Sequence, residues 1–179
     1  MPSDRSSYNK LQVLLDTARS YSVKTVDELI HHLEAKRHPA FMSRQYKPAT
    51  DSFAFDVSKP TIKRVIRISQ YLDLITVDGT LTADGKQSVG KGKFPLIVQR
   101  KLHNKLQSEG VDVTDLNKLI IKCLRGDPVT LPTARTLWQE LGGKISYSKF
   151  SLILSLLAQS GGAVSTQRKL YLRVERMLH

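Results

Sequence analysis

One cysteine, Cys123, is present in 179 residues, so no internal disulfide can brace the chain and a zinc finger is excluded. That thiol sits among Leu119, Ile120, Ile121 and Leu124, a setting in which a lone cysteine behaves as a small core hydrophobe. Long apolar runs are missing too. Nothing reaches the length of a membrane span, and the opening residues MPSDRSSYNK are polar, without the apolar stretch of a signal peptide. The expectation is a reducing, cytoplasmic setting close to the nucleoid. Aromatic residues make up only 7%, and most are expected in the core, which leaves few platforms on which unpaired bases stack. Single-stranded nucleic acid and RNA therefore rank below a duplex as partners.

Catalytic constellations are equally scarce. There is no phosphate-cradling glycine loop, no Gly-x-Ser-x-Gly, and no pair of cysteines or histidines at metal spacing. His31 and His32 are adjacent, which points them about 100° apart on a helix and suits them poorly to sharing one ion. Asp73, Asp78 and Asp84 fall at a helix end, a turn and a turn exit, where aspartate is common for backbone reasons alone. The reading is a non-enzymatic protein with no cofactor and no metal.

Acidic residues are the remaining shortage: 16 Asp and Glu face 28 Lys and Arg, a net charge of +12. Self-repulsion of that size destabilises a compact chain, and a polyanionic partner is the usual reason to carry it. Residues 1–90 hold 13 basic and 10 acidic side chains, while residues 91–179 hold 15 and 6, so most of the excess lies in the second half.

Along the first half, Leu11, Leu14, Leu15 and Ala18 recur at helical spacing. Thr25 with Glu28 forms a capping box for a second helix through Leu29, Ile30 and Leu33. Residues 38–57 show no clean period and contain two prolines, and read as a long connection with a short strand at Phe53–Val57. Ser58 and Pro60 then start a helix from Lys59 to about Asp73. On it, Ile62, Val65, Ile66, Ser69 and Leu72 share one face, with Ile68 at its margin. Lys63, Arg67 and Gln70 form a stripe with Lys59 at its edge, and Arg64 and Tyr71 lie opposite the apolar face. A solvated face usually mixes charge signs, whereas this arc carries no acid before Asp73.

Leu74-Ile75-Thr76-Val77, the turn Asp78-Gly79 and the return Thr80-Leu81-Thr82 read as a tight hairpin, after which Ala83-Asp84-Gly85-Lys86 turns the chain away. Helix, helix, cationic helix and hairpin, with the exit Leu81-Thr82-Ala83-Asp84-Gly85-Lys86, resembles the winged-helix (winged helix-turn-helix) superfamily over residues 7–90. That resemblance implies a recognition helix at 59–73 and a wing at 74–82.

Lys91-Gly92-Lys93 is a flexible basic joint. Phe94-Pro95 opens a helix to Glu109 with a basic surface of Arg100, Lys101, His103, Asn104 and Lys105, and Thr114 caps another carrying Leu116, Leu119, Ile120 and Leu124. A short helix with Ala134, Leu137, Trp138 and Leu141 follows, then one from Ser146 to about Ser160, then strands at Ala163–Thr166 and Leu170–Val174. The order again resembles a winged helix, over roughly 94–176, without residue-level repetition of the first half. The expected fold is mainly α with small β-hairpin wings, in two tandem winged-helix domains: 1–90, the joint 91–93, and 94–179.

In the helix at 146–160, Tyr147, Phe150, Ile153, Leu154 and Leu157 are expected inward, and Ser148, Ser151, Leu152, Ser155 and Gln159 outward. Two readings stand. The serine face enters a groove while Lys144, Lys149, Arg168, Lys169, Arg173 and Arg176 surround it, or Ser148, Ser151, Leu152 and Ser155 meet a second copy or a partner protein.

The functional expectation is a duplex-DNA binder, regulatory of transcription or DNA-organising. Lys63, Arg67 and Gln70 lie nearest the bases. Lys59, Arg64, Lys86, Lys91, Lys93, Arg100, Lys101 and Lys105 grip phosphates. The alternative is an adaptor subunit of a larger nucleic-acid-processing complex, since fold does not fix function.

Overall fold

The first helix, α1 (Ser7–Ser20), starts where the Ser6 hydroxyl accepts the Asn9 N–H at 3.1 Å. It buries Leu11, Leu14, Leu15 and Ala18, the four residues its period selects. At α2 (Val26–Lys36) the Thr25 hydroxyl accepts the Glu28 N–H, and the Glu28 carboxylate accepts the Lys24 N–H at 2.9 Å. Arg37 ends α2 in the left-handed region, and Phe41 drops into the core through a 3-10 turn, Pro39–Phe41.

This computed structural model describes residues 6–89, 92–112, 114, 134–141, 144–160, 163–166 and 169–172. The chain divides into two units, Met1–Phe94 and Pro95–His179, and is mainly helical with two short antiparallel hairpins.

The segment 42–57 corrects the sequence reading. The strand expected at Phe53–Val57 is present as β2 (Ser52–Val57), but the residues before it are not an irregular connection: β1 (Met42–Lys47) pairs with it as a β-hairpin, Met42 opposite Val57 and Lys47 opposite Ser52. Pro48 lies in the connecting 3-10 turn, where its missing N–H is not needed by the ladder. Asp51 supplies the left-handed residue that completes the reversal. The base is closed by Ser58 N–H donating to the Phe41 carbonyl at 2.9 Å.

From that base runs α3 (Lys59–Tyr71), capped by Ser58, with Pro60 in its first turn. Ile62, Val65, Ile66, Ile68, Ser69 and Leu72 are all buried, and α1, α2 and α3 pack against one another in pairs. The segment after α3 also departs from expectation. Residues 74–82 form no strands, only a single bridge between Ile75 and Leu81 and a tight turn in which Thr76 N–H donates to the Thr80 carbonyl at 2.8 Å. Gln70 donates to Thr76 and Val77, and the Thr82 hydroxyl lies 2.8 Å from the Asp73 carbonyl and 3.1 Å from that of Leu74. Thr82 also caps a short helix, α4 (Ala83–Ser88), where a plain exit from the turn was expected.

In the second unit α5 (Phe94–Ser108) buries Ile97, Val98, Leu102 and Leu106. α6 (Ala134–Glu140) contributes Leu137, and α7 (Tyr147–Gln159) contributes Phe150, Ile153, Leu154, Leu156 and Leu157. Tyr147, expected inward, is exposed with its ring edge-on to Trp138, and Leu156 takes a core place instead. β3 (Ala163–Thr166) pairs with β4 (Lys169–Leu172) and both pack on α7. The helix expected after Thr114, Cys123 within it, lies outside the described residues.

Gly85 shows how tightly α4 is held: a Cβ there would stand 1.9 Å from the Leu74 carbonyl oxygen. Gly85→Ala is expected to destabilise the protein by about 1–3 kcal/mol, since backbone rather than a flexible side chain must move. A lowered urea midpoint with an unchanged slope checks this.

Candidate nucleic-acid interface

Helical geometry carries the aliphatics of α3 inward and leaves Lys63, Arg64 and Arg67 exposed on the other side. Lys63 and Arg67 are one turn apart, and Arg64 flanks them. None of the three has an ion-pair partner among the described residues. The nearby acids are committed elsewhere. Glu34 pairs with Lys59 at 3.1 Å, and Asp56 pairs with Lys47 at 2.8 Å and Arg37 at 3.3 Å. Lys59 thus stands at the edge of the arc as half of an ion pair.

Gln70 is placed differently from Lys63 and Arg67. Its amide donates to the carbonyls of Thr76 (3.4 Å) and Val77 (3.1 Å), which hangs the 74–82 turn from the last turn of α3. The turn projects Val77 into solvent, 84% exposed, beyond the end of the cationic arc. Lys86, on α4, is exposed and lines a cleft with Arg19 and Thr80.

The remaining expected cations scatter. Lys93 is exposed ahead of α5. Arg100, Lys101 and Lys105 lie on α5, and each has an interaction partner. Lys144 and Ser148 are exposed at the start of α7, Ser151, Leu152 and Ser155 are half-buried on it, and Lys149 pairs with Glu109 at 2.8 Å. Lys169 begins β4; Lys91, Arg168 and Arg173 lie outside the described residues.

Sequence reasoning missed a second surface. The hairpin register puts Arg44, Tyr46, Phe53 and Phe55 on one face, and the three rings are 51%, 58% and 56% exposed. This corrects the expectation that the aromatics are mostly internal. The Tyr46 and Phe53 rings stand 5.4 Å apart, and the Arg44 guanidinium lies over Phe53 at 4.4 Å. Strict alternation in Ser52-Phe53-Ala54-Phe55-Asp56-Val57 was the available signal, obscured by the unrecognised partner strand.

The opposite face of the hairpin latches to α2. Asp56 accepts from the Lys47 ammonium and the Val57 N–H, with Arg37 beside it, and these hold its carboxyl below the ordinary aspartate range.

No protein-family model matches this chain, and comparison with the curated proteins and with the solved structures gives no match. Among the described residues, no helix is long and apolar enough to cross a membrane.

Because Asp56 has a depressed pKa in the folded state, its contribution is complete above the ordinary aspartate value and is lost as pH falls through the lowered one. Acidification into that window is expected to speed amide exchange across β1 and β2 before α1 and α3 respond. Asp56→Asn should produce the same local opening at neutral pH, as read by hydrogen exchange.

Proposed function

We propose that the protein binds duplex DNA without catalysing a reaction, using the exposed side of α3 as its recognition surface. The observation that carries this is the uncompensated cluster of Lys63, Arg64 and Arg67 on a helix whose other side is fully buried. A rigid helix presenting cations without counter-ions suits a major groove, which accommodates one α-helix and offers guanine O6 and N7 to Lys or Arg. In this arrangement Lys63 and Arg67 approach base edges. Arg64, Lys86 and Lys93 reach phosphates and set register. Gln70 serves the turn rather than a base, because its amide is already engaged.

The same reading takes each unit as a winged helix. Three packed helices followed by a tight turn support it in the first, and α7 followed by the β3–β4 hairpin supports it in the second. The first unit departs from the family's pattern in the β1–β2 hairpin inserted between its second and third helices. A protein of this kind regulates or organises DNA.

Fluorescence anisotropy with a labelled duplex at two salt concentrations tests the proposal. Affinity should fall steeply with salt as phosphate contacts release counter-ions. Lys63→Ala with Arg67→Ala should cost about 1–3 kcal/mol for each base contact removed, or flatten the logarithmic salt slope by about two if both meet phosphates. The pair Arg168→Ala and Lys169→Ala should matter less. Salt-independent or absent duplex binding ends the proposal, and equal losses from the two pairs remove α3 as the recognition helix.

A further inference from the structure

The outer face of the β1–β2 hairpin has a composition that duplex binding by α3 does not use. Tyr46 and Phe53 are directly opposite in the register, and Arg44 with Phe55 forms the next pair on the same side. Successive residues of one strand face are about 7 Å apart, so the rings form an exposed patch two pairs deep, with the Tyr46 and Phe53 planes inclined by 56° and the Arg44 guanidinium over Phe53. Tyr46 is pinned at its far end, where its hydroxyl donates to Asp51 at 2.7 Å. No acid lies on the platform face itself: Asp56 sits on the other side with Lys47 and Arg37, and Asp51 is in the connecting turn. At the hairpin base, Phe55 and Arg44 line a cleft of about 220 Å³ with Lys10 of α1 and Thr61 of α3. Thr61 is one turn before Arg64, so the platform leads toward the cationic arc.

Exposed rings set among cations suit a partner that is at once polyanionic and able to offer flat apolar surfaces. Single-stranded nucleic acid has both properties, because each base presents a π-face and each linkage a negative charge. A continuous duplex hides its base faces in the stack. An apolar protein segment would make no use of the Arg44 charge.

We propose that the hairpin face of Arg44, Tyr46, Phe53 and Phe55 stacks unpaired bases of a DNA strand, so that the first unit grips a single-stranded tail beside the duplex held by α3. The choice of DNA over RNA rests on the duplex-DNA reading of α3; the stacking itself does not.

The test measures binding of the full chain, at one fixed salt concentration, to three labelled probes. These are a blunt duplex, the same duplex with a single-stranded thymidine tail, and the tail strand alone. The wild-type protein is expected to prefer the tailed over the blunt duplex by roughly tenfold or more. Phe53→Leu and Tyr46→Leu should erase that preference while leaving blunt-duplex affinity unchanged and the chain folded at the assay temperature, and Phe53→Trp should keep it. Quenching of a 2-aminopurine in the tail, lost in Phe53→Leu, reads stacking directly.

Absence of a tail preference overturns the proposal, as does its survival in both leucine variants or an equal loss on all three probes. A tail of RNA bound tenfold tighter than the DNA tail overturns the assignment to DNA. Concentration-dependent self-association that Phe53→Glu abolishes, without any tail preference, gives the face to a second copy and overturns it as well. If Lys63→Ala with Arg67→Ala leaves blunt-duplex binding untouched while the ring-dependent preference persists, the α3 reading falls and the platform stands.

Discussion

The aliphatic side of α3 has to be dry before its other side can be presented to anything. Ile62, Val65, Ile66, Ser69 and Leu72 meet α1 and α2, and at about 25 cal/mol per Å² of apolar surface removed from water their burial fixes the helix in rotation as well as in place. Everything outward then follows from spacing. A rotation of one residue would bury Lys63 or Arg67 without a partner, at a cost of several kcal/mol for a desolvated charge. Both ends are held as well: Ser58 ties the start to Phe41, and Gln70 ties the finish to the following turn.

Charge by position counts for more here than charge by total. The first half of the chain is only modestly basic, yet two of its acids near α3 are taken up in pairs at the hairpin and α2, Glu34 with Lys59 and Asp56 with Lys47 and Arg37. Exposed pairs of this kind contribute little stability. Their larger effect is on the field, since they leave α3 as a cluster of one sign. Among the described residues of the second half, Lys149 meets Glu109, and Arg100, Lys101 and Lys105 are engaged.

Legibility of the fold followed the range of the forces involved. The α3 faces were readable because a 3.6-residue period and a clean separation of aliphatic from cationic side chains are local properties. The caps at Thr25 and Ser58 were readable for the same reason. Of the β1–β2 hairpin only the second strand was, because Pro48 and Asp51 make a four-residue connection without the Asn-Gly or Asp-Gly signal, and the alternation Arg44, Tyr46 in β1 mixes charge with an aromatic ring. Asp78-Gly79 makes the turn that its sequence predicts, but its arms meet at one bridge, Ile75 with Leu81, rather than as strands. The Gln70 amide and the Thr82 hydroxyl that tie this turn to the end of α3 act across six to nine residues, beyond the reach of a turn motif. For the candidate site, Lys63, Arg64 and Arg67 were visible in advance. The change in Gln70's employment and the exposure of Phe53 and Phe55 were not.

Covalent continuity links the two surfaces of the first unit. β2 ends at Val57 and α3 begins at Lys59, with Ser58 both closing the hairpin base through its N–H and capping the helix through its hydroxyl. A rigid joint of one residue fixes the distance between ring platform and cationic arc, so ligand groups that fit both must themselves have a fixed spacing. The two surfaces also respond to different variables. Attraction to the arc is long-ranged and weakens as salt shortens the screening length, whereas ring stacking acts only at contact and is nearly indifferent to ionic strength. On the two readings proposed above, charge would govern approach and stacking would govern dissociation, the step at which the aromatic face would act.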